Sequence, residues 1–199
     1  MAVTRERFEQ GLSYEQYKAQ MTRNQERFSE NERGFTPDAA DVDALKRLPR
    51  PINVLVLAED WCGDVIDNLP VLGRLEQTTG KLNIRVFLRD QNLDLMDQYL
   101  KEGQFRSIPV FVFFDESFNE LGHFIERPES VTTRRAQQRA ELYTQHPEFG
   151  SPETPITQLP EDVRVKLMEA QAPLREATKA QDNQDVVRAI REIVTPVRA

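Results

Sequence analysis

Apolar residues along the chain fall into blocks of different period, and each block predicts an element. Ser13 followed by Gln16 resembles a capping box, and Tyr14, Tyr17, Met21 and Phe28 then recur at roughly helical spacing on a polar background. That pattern predicts one long amphipathic helix. Thr36 before Pro37 marks another helix start, with Val42, Leu45 and Leu48 as its apolar side until Pro49 and Pro51 end it. Residues 1–50 are thus expected to form an N-terminal helical extension.

The character changes at Ile52. The run Ile52–Ala58 is almost wholly apolar and predicts a strand covered on both faces. From Cys62 to about Thr79, Val65, Ile66, Leu69, Leu72 and Leu75 repeat at three to four, so the strand feeds a helix that Pro70 is expected to kink. Leu82, Ile84, Val86 and Leu88 alternate with their neighbours as a second strand, and Leu93–Leu100 is a short helix ending near Gly103. Val110–Phe114 and Leu121–Ile125 are close enough to form an antiparallel hairpin. A helix Val131–Tyr143, capped at Ser130, closes a domain expected to span residues 51–146.

Beyond His146, Pro147, Pro152, Pro155 and Pro160 predict a linker or surface wrap. Two further helices are expected, Glu161–Ala170 and about Asp182–Val194. Val186, Ile190, Ile193 and Val194 line one side of the second, which packs on this chain or forms a homodimer. Residues 147–199 are therefore read as linker plus C-terminal helical segment.

Composition narrows the function classes. With 39% hydrophobic and 30% charged residues in 199, the chain builds one sizeable core and is not low-complexity or disordered. No apolar run approaches the roughly 20 residues that cross a bilayer, so a cytoplasmic protein is expected. The net charge of −7 comes wholly from residues 51–130, and no basic stripe is available for nucleic acid or an anionic membrane. His123 and His146 lie too far apart in pattern to suggest a metal site. The single cysteine, Cys62, excludes an intramolecular disulfide.

The strand Asn53–Ala58, the turn Glu59-Asp60-Trp61-Cys62-Gly63-Asp64-Val65, Pro70 within the helix, and Ser107-Ile108-Pro109 before a hairpin resemble the thioredoxin family. The resemblance covers roughly Ile52 to Tyr143. The Glu-Asp-Trp-Cys turn with helices ahead of it is similar to a bacterial thioredoxin-like subfamily. It implies an α/β thioredoxin-like fold with a mixed central sheet, to which the N-terminal and C-terminal helical extensions are added. It also implies a cis Ile108–Pro109 bond facing Cys62. Two positions depart from the family: its second motif cysteine falls at Val65 and its buried carboxylate at Val56.

For Cys62 to act, it must ionise, and a free thiol titrates near 8.5. A helix N-terminus favours the thiolate by roughly 0.3 to 1 kcal/mol. An exposed acid about 6 Å away opposes it by roughly 0.7 kcal/mol, and Glu59, Asp60, Asp64 and Asp67 are all close in sequence. These acids read as a solvated helix start, with Asp60 or Asp64 complementing the helix N-terminus. Two functions remain open. In one, Cys62 is a monothiol that forms mixed disulfides with a glutathione-type small thiol or a partner protein, without a resident cofactor. Trp61, Gly63, Asp64, Ile108 and Pro109 then line its substrate site. In the other, the domain is a non-catalytic binding or chaperone-like module that recognises an extended segment near Pro109.

Overall fold

The computed structural model describes residues 3–195. Their contacts divide into two compact units: one holds the chain up to Pro128 together with the segment from Val186 on, the other Glu129–Asp185.

The first unit is built on the apolar run Ile52–Ala58, strand β2, all seven residues of which are buried. The reason is its central position: Leu82–Leu88 (β3) pairs parallel along one edge and Val110–Phe114 (β4) antiparallel along the other. Glu120–Ile125 (β5) completes the expected hairpin with β4. A two-residue strand, Leu12–Ser13 (β1), pairs antiparallel with Val86 and Arg85, giving the order β1-β3-β2-β4-β5. The mixed sheet makes this an α/β, thioredoxin-like fold with helical extensions.

The N-terminal segment departs from one long helix. After Arg5–Glu9 (α1) come Tyr14–Gln20 (α2) and Gln25–Gly34 (α3), separated where Met21 leaves helical geometry with a ψ of 134° and Asn24 takes a left-handed φ of 55°. The break has a cause: the Asp60 carboxylate accepts the Thr22 and Arg23 N–H groups, which a continuous helix would use internally. Helical spacing survives because Tyr14, Tyr17, Met21 and Phe28 are all buried in one core. The capping box at Ser13 and Gln16 forms as expected. Ala39–Lys46 (α4) begins later than the Thr36–Pro37 signal, because Asp38, its N-cap, is still extended.

Gly63–Thr79 (α5) runs through Pro70 without interruption. Proline has no N–H for the carbonyl four residues back, and the Ile66 carbonyl instead accepts the side-chain amide of buried Asn31 at 2.8 Å. The α2 segment also packs closely here. A Cβ at Gly73 would lie 2.1 Å from the Tyr14 ring, so only glycine admits that approach. Leu93–Met96 (α6) is shorter than expected; Gln98 and Tyr99 then bond three residues back, to Leu95 and Met96, and this tighter turn keeps Tyr99 buried. Val186, Val187, Ile190 and Val194 join the same core, so the apolar side of the last helix packs on this chain.

In the second unit Glu129–Gln145 (α7) starts just after Pro128, which puts Ser130 inside its first turn instead of at the cap. The proline-rich stretch forms two short 3-10 turns, Pro147–Phe149 and Ile156–Gln158, and Phe149 and Leu159 are buried with Tyr143 and Leu167 in a small core. The two expected C-terminal helices are one, Glu161–Val194 (α8), with Pro173 inside it. Residues 171–181 lack an apolar stripe but consist largely of good helix formers, and Asp182 and Asp185 on the same helix hold Arg134 of α7.

Candidate functional site

The chain leaves β2 and enters α5 through Trp61 and Cys62. Cys62 is the N-cap of α5, with an extended backbone (φ −86°, ψ 120°) and a carbonyl that accepts the Ile66 N–H. Its side chain is half-buried, and Sγ donates to the Ile108 carbonyl oxygen at 3.4 Å. The Ile108–Pro109 peptide is cis and both residues are buried. Because β2 and β4 are antiparallel, with Leu57 opposite Val110, the chain leaving β2 and the chain entering β4 meet at the same end of the sheet, which brings Cys62 and Ile108–Pro109 together.

Around this pair the other expected residues take distinct positions. Trp61 is 44% exposed, and the Arg89 guanidinium lies 4.9 Å from the centre of its ring, a cation–π contact. Gly63 is exposed, and a Cβ there would meet nothing within 4 Å, so its glycine identity is not sterically required. Asp64 faces inward enough to pair with Arg127 at 2.5 Å. Val65 and Val56, at the positions of the family's second cysteine and carboxylate, are both fully buried apolar groups.

The acidic cluster is not merely solvated. Glu59 accepts the Asp90 N–H, Asp60 holds the turn at Thr22 and Arg23, Asp64 pairs with Arg127, and Asp67 pairs with Arg27 at 2.7 Å. Each acid fastens a different segment to the start of α5.

Glu126 and Arg127 complete the surroundings and escaped the sequence reading. The Glu126 N–H donates to the Pro109 carbonyl, its own carbonyl accepts the Asn68 side chain of α5, and its carboxylate pairs with Lys101 at 2.8 Å. Residues 126–127 thus tie the Pro109 loop to the helix that Cys62 opens. One signal could have found them: a hairpin in which Val110 faces Ile125 places the next residue beside Pro109.

These surroundings set the thiol's protonation. Burial pushes the Cys62 thiol up from its ordinary value, and the charges of Asp64 and Glu126 add to the rise, outweighing the Val65 and Asp64 N–H groups at the helix start. The neutral thiol is also the form that donates to the Ile108 carbonyl. Among the described residues, no group of three or more His, Cys, Asp or Glu side chains is placed to hold a metal ion. None of their helices is long and apolar enough to cross a membrane.

Comparison with known proteins follows the same lines. A sequence model described as thioredoxin matches residues 11–139, and so takes in α2 to α4 as well as the sheet and the Cys62 turn. No curated protein matches the chain. Among solved structures, a protein of unknown function from Pseudomonas aeruginosa is 20% identical with a TM-score of 0.61, over 89% of this chain and 99% of that one. An HIV epitope-scaffold is 19% identical with a TM-score of 0.60, over 95% of this chain and 98% of its own. At these identities the likeness is one of fold.

Proposed function

The chain belongs to the thioredoxin family, and from that premise we propose that it carries out monothiol thiol–disulfide exchange through Cys62. The observation that carries this reading is the place of the sulfur. It stands at the N-terminus of α5, half-buried, 3.4 Å from the carbonyl of Ile108, with exposed Trp61 on its flank.

An extended disulfide-bearing segment lies along Ile108–Pro109, with Trp61 as its apolar flank and Gly63 and Asp64 at the helix entrance. The Cys62 thiolate attacks one sulfur of the partner disulfide; a new S–S bond forms, the old one breaks, and the departing thiolate takes up a proton. With valine at position 65 no internal thiol resolves the product. A second, external thiol of the glutathione type does so, attacking the partner sulfur and returning Cys62 reduced. Such a co-substrate fits a reducing compartment like the cytoplasm.

Incubation with glutathione disulfide, followed by intact-mass measurement between pH 6 and 10, tests the reading. One glutathione adduct, lost in Cys62→Ser and growing with pH, is the expected result. An absence of adduct up to pH 10 overturns it.

The raised thiol favours a second reading, in which the surface beside Ile108–Pro109 binds an extended segment without exchange. Under it, Cys62→Ser retains full function in cells.

A further inference from the structure

Tyr17 is a buried phenol that the core alone does not explain. It is 1% exposed, its ring meets Phe28 edge-on, and its hydroxyl has no hydrogen-bond partner among the described residues. Unpartnered buried polar atoms are rare in folded proteins and call for an account. The same position as phenylalanine would fill the space without a stranded O–H.

The surroundings of that hydroxyl point to the thiol turn. Tyr17 belongs to α2, which ends at the Thr22–Asn24 turn; that turn is held on Asp60 by the Thr22 N–H at 2.7 Å, the Arg23 N–H and the Asn24 side chain. Asp60 is two residues from Cys62. Burial raises Tyr17 well above its ordinary value, and the charged groups that add to this are Asp60, Glu59 and Cys62, all from one turn. Cys62 in turn faces Asp64 and Glu126, with the Val65 and Asp64 N–H groups as its donors.

Ionisation changes what the sulfur needs. As a thiol it donates to the Ile108 carbonyl. As a thiolate it faces that oxygen lone pair to lone pair, and a donor beyond the Val65 and Asp64 N–H groups stabilises it. We infer that the Tyr17 hydroxyl is a positioning group for Cys62: it donates to the sulfur once the thiol has ionised, so the N-terminal extension completes the thiol site. This rests on the monothiol reading but is tested apart from it.

The test is Tyr17→Phe in the full chain, with the rate of Cys62 alkylation by iodoacetamide followed from pH 6 to 10.5. The expected result is a profile displaced to higher pH, with alkylation at pH 8 slowed about three- to tenfold, and unchanged or higher thermal stability. Tyr14→Phe removes a second buried phenol oxygen that has no hydrogen-bond partner among the described residues and leaves the profile in place. A Tyr17→Phe profile that superimposes on the parent, or an equal displacement by Tyr14→Phe, overturns the inference. Alkylation needs no disulfide substrate. A displaced profile without a glutathione adduct would refute the exchange reading alone, and an adduct with an undisplaced profile would refute the role of Tyr17 alone.

Discussion

Asn31 donates its side-chain amide to the carbonyl of Ile66, the one backbone acceptor in α5 that Pro70 deprives of its helical partner. A residue of the N-terminal extension thereby repairs a helix of the thioredoxin core. Asn31→Ala leaves that carbonyl buried and unpaired, at a cost of about 1 to 3 kcal/mol. In a Pro70→Ala background the residue-70 N–H resumes the bond, and the same Asn31→Ala change is expected to cost less than about 1 kcal/mol. Urea midpoints of the four proteins measure the coupling; equal costs in both backgrounds would refute it.

Asp64 and Arg127 set the charge beside the sulfur. The Asp64 carboxylate disfavours the thiolate, and the Arg127 guanidinium pairs with that carboxylate at 2.5 Å. Asp64→Asn removes the negative charge and leaves the guanidinium, so both changes move the thiol down; alkylation of Cys62 at pH 8 is expected to accelerate roughly three- to tenfold, equivalent to about 0.5 to 1 pH unit. Arg127→Ala acts in the opposite direction. If Asp64→Asn slows alkylation instead, the electrostatic account of this site is wrong.

The pH dependence of the parent protein follows from the raised thiol. Below its titration point the thiolate fraction grows about tenfold per pH unit, so alkylation is expected to climb through neutrality and show no plateau below about pH 8.5. The linkage to stability has a definite sign. The folded thiol titrates above the unfolded one, so its contribution is intact below the unfolded value, near 8.5, and is lost as pH rises through the folded value. Tyr14 and Tyr17, both raised by burial, act in the same direction at still higher pH. Chemical denaturation of parent and Cys62→Ser between pH 7 and 10 measures this, with the parent expected to lose stability faster.

What the sequence disclosed, and what it did not, divides by the range of the interaction. The strand Ile52–Ala58, the Cys62 turn and Pro109 were legible because a buried strand and two short motifs are local patterns. The contacts that assemble the site are not local: Thr22 to Asp60, Asn31 to Ile66 and Asp64 to Arg127 join residues 38, 35 and 63 positions apart. A carboxylate carries no mark of which donor it will meet, so the four acids between Glu59 and Asp67 read as solvated although each has its own partner. Periodicity failed in the same way where packing was absent: the middle of α8 has no apolar stripe to announce it, and Tyr14 to Phe28 kept a helical rhythm across a break.

Asp60 is where the extension and the thiol turn are fastened, and its titration makes that fastening measurable. Burial pushes the carboxyl up, but the N–H groups of Thr22 and Arg23, the Thr22 hydroxyl and the Arg23 charge outweigh it, so the group lies below its ordinary value. A carboxyl lowered by folding contributes stability above its unfolded value, near 3.9, and that contribution is lost as pH falls through the folded one. Asp60→Asn keeps the shape and removes the charge that strengthens these bonds. At pH 7 the variant is expected to be less stable by about 1 kcal/mol, charge-assisted bonds being stronger than neutral ones and this group partly open to solvent. Toward pH 2 the parent loses the same charge, and the two urea midpoints should converge. Parallel midpoints from pH 7 to pH 2 would show that the Asp60 charge does not hold the Thr22–Asn24 turn.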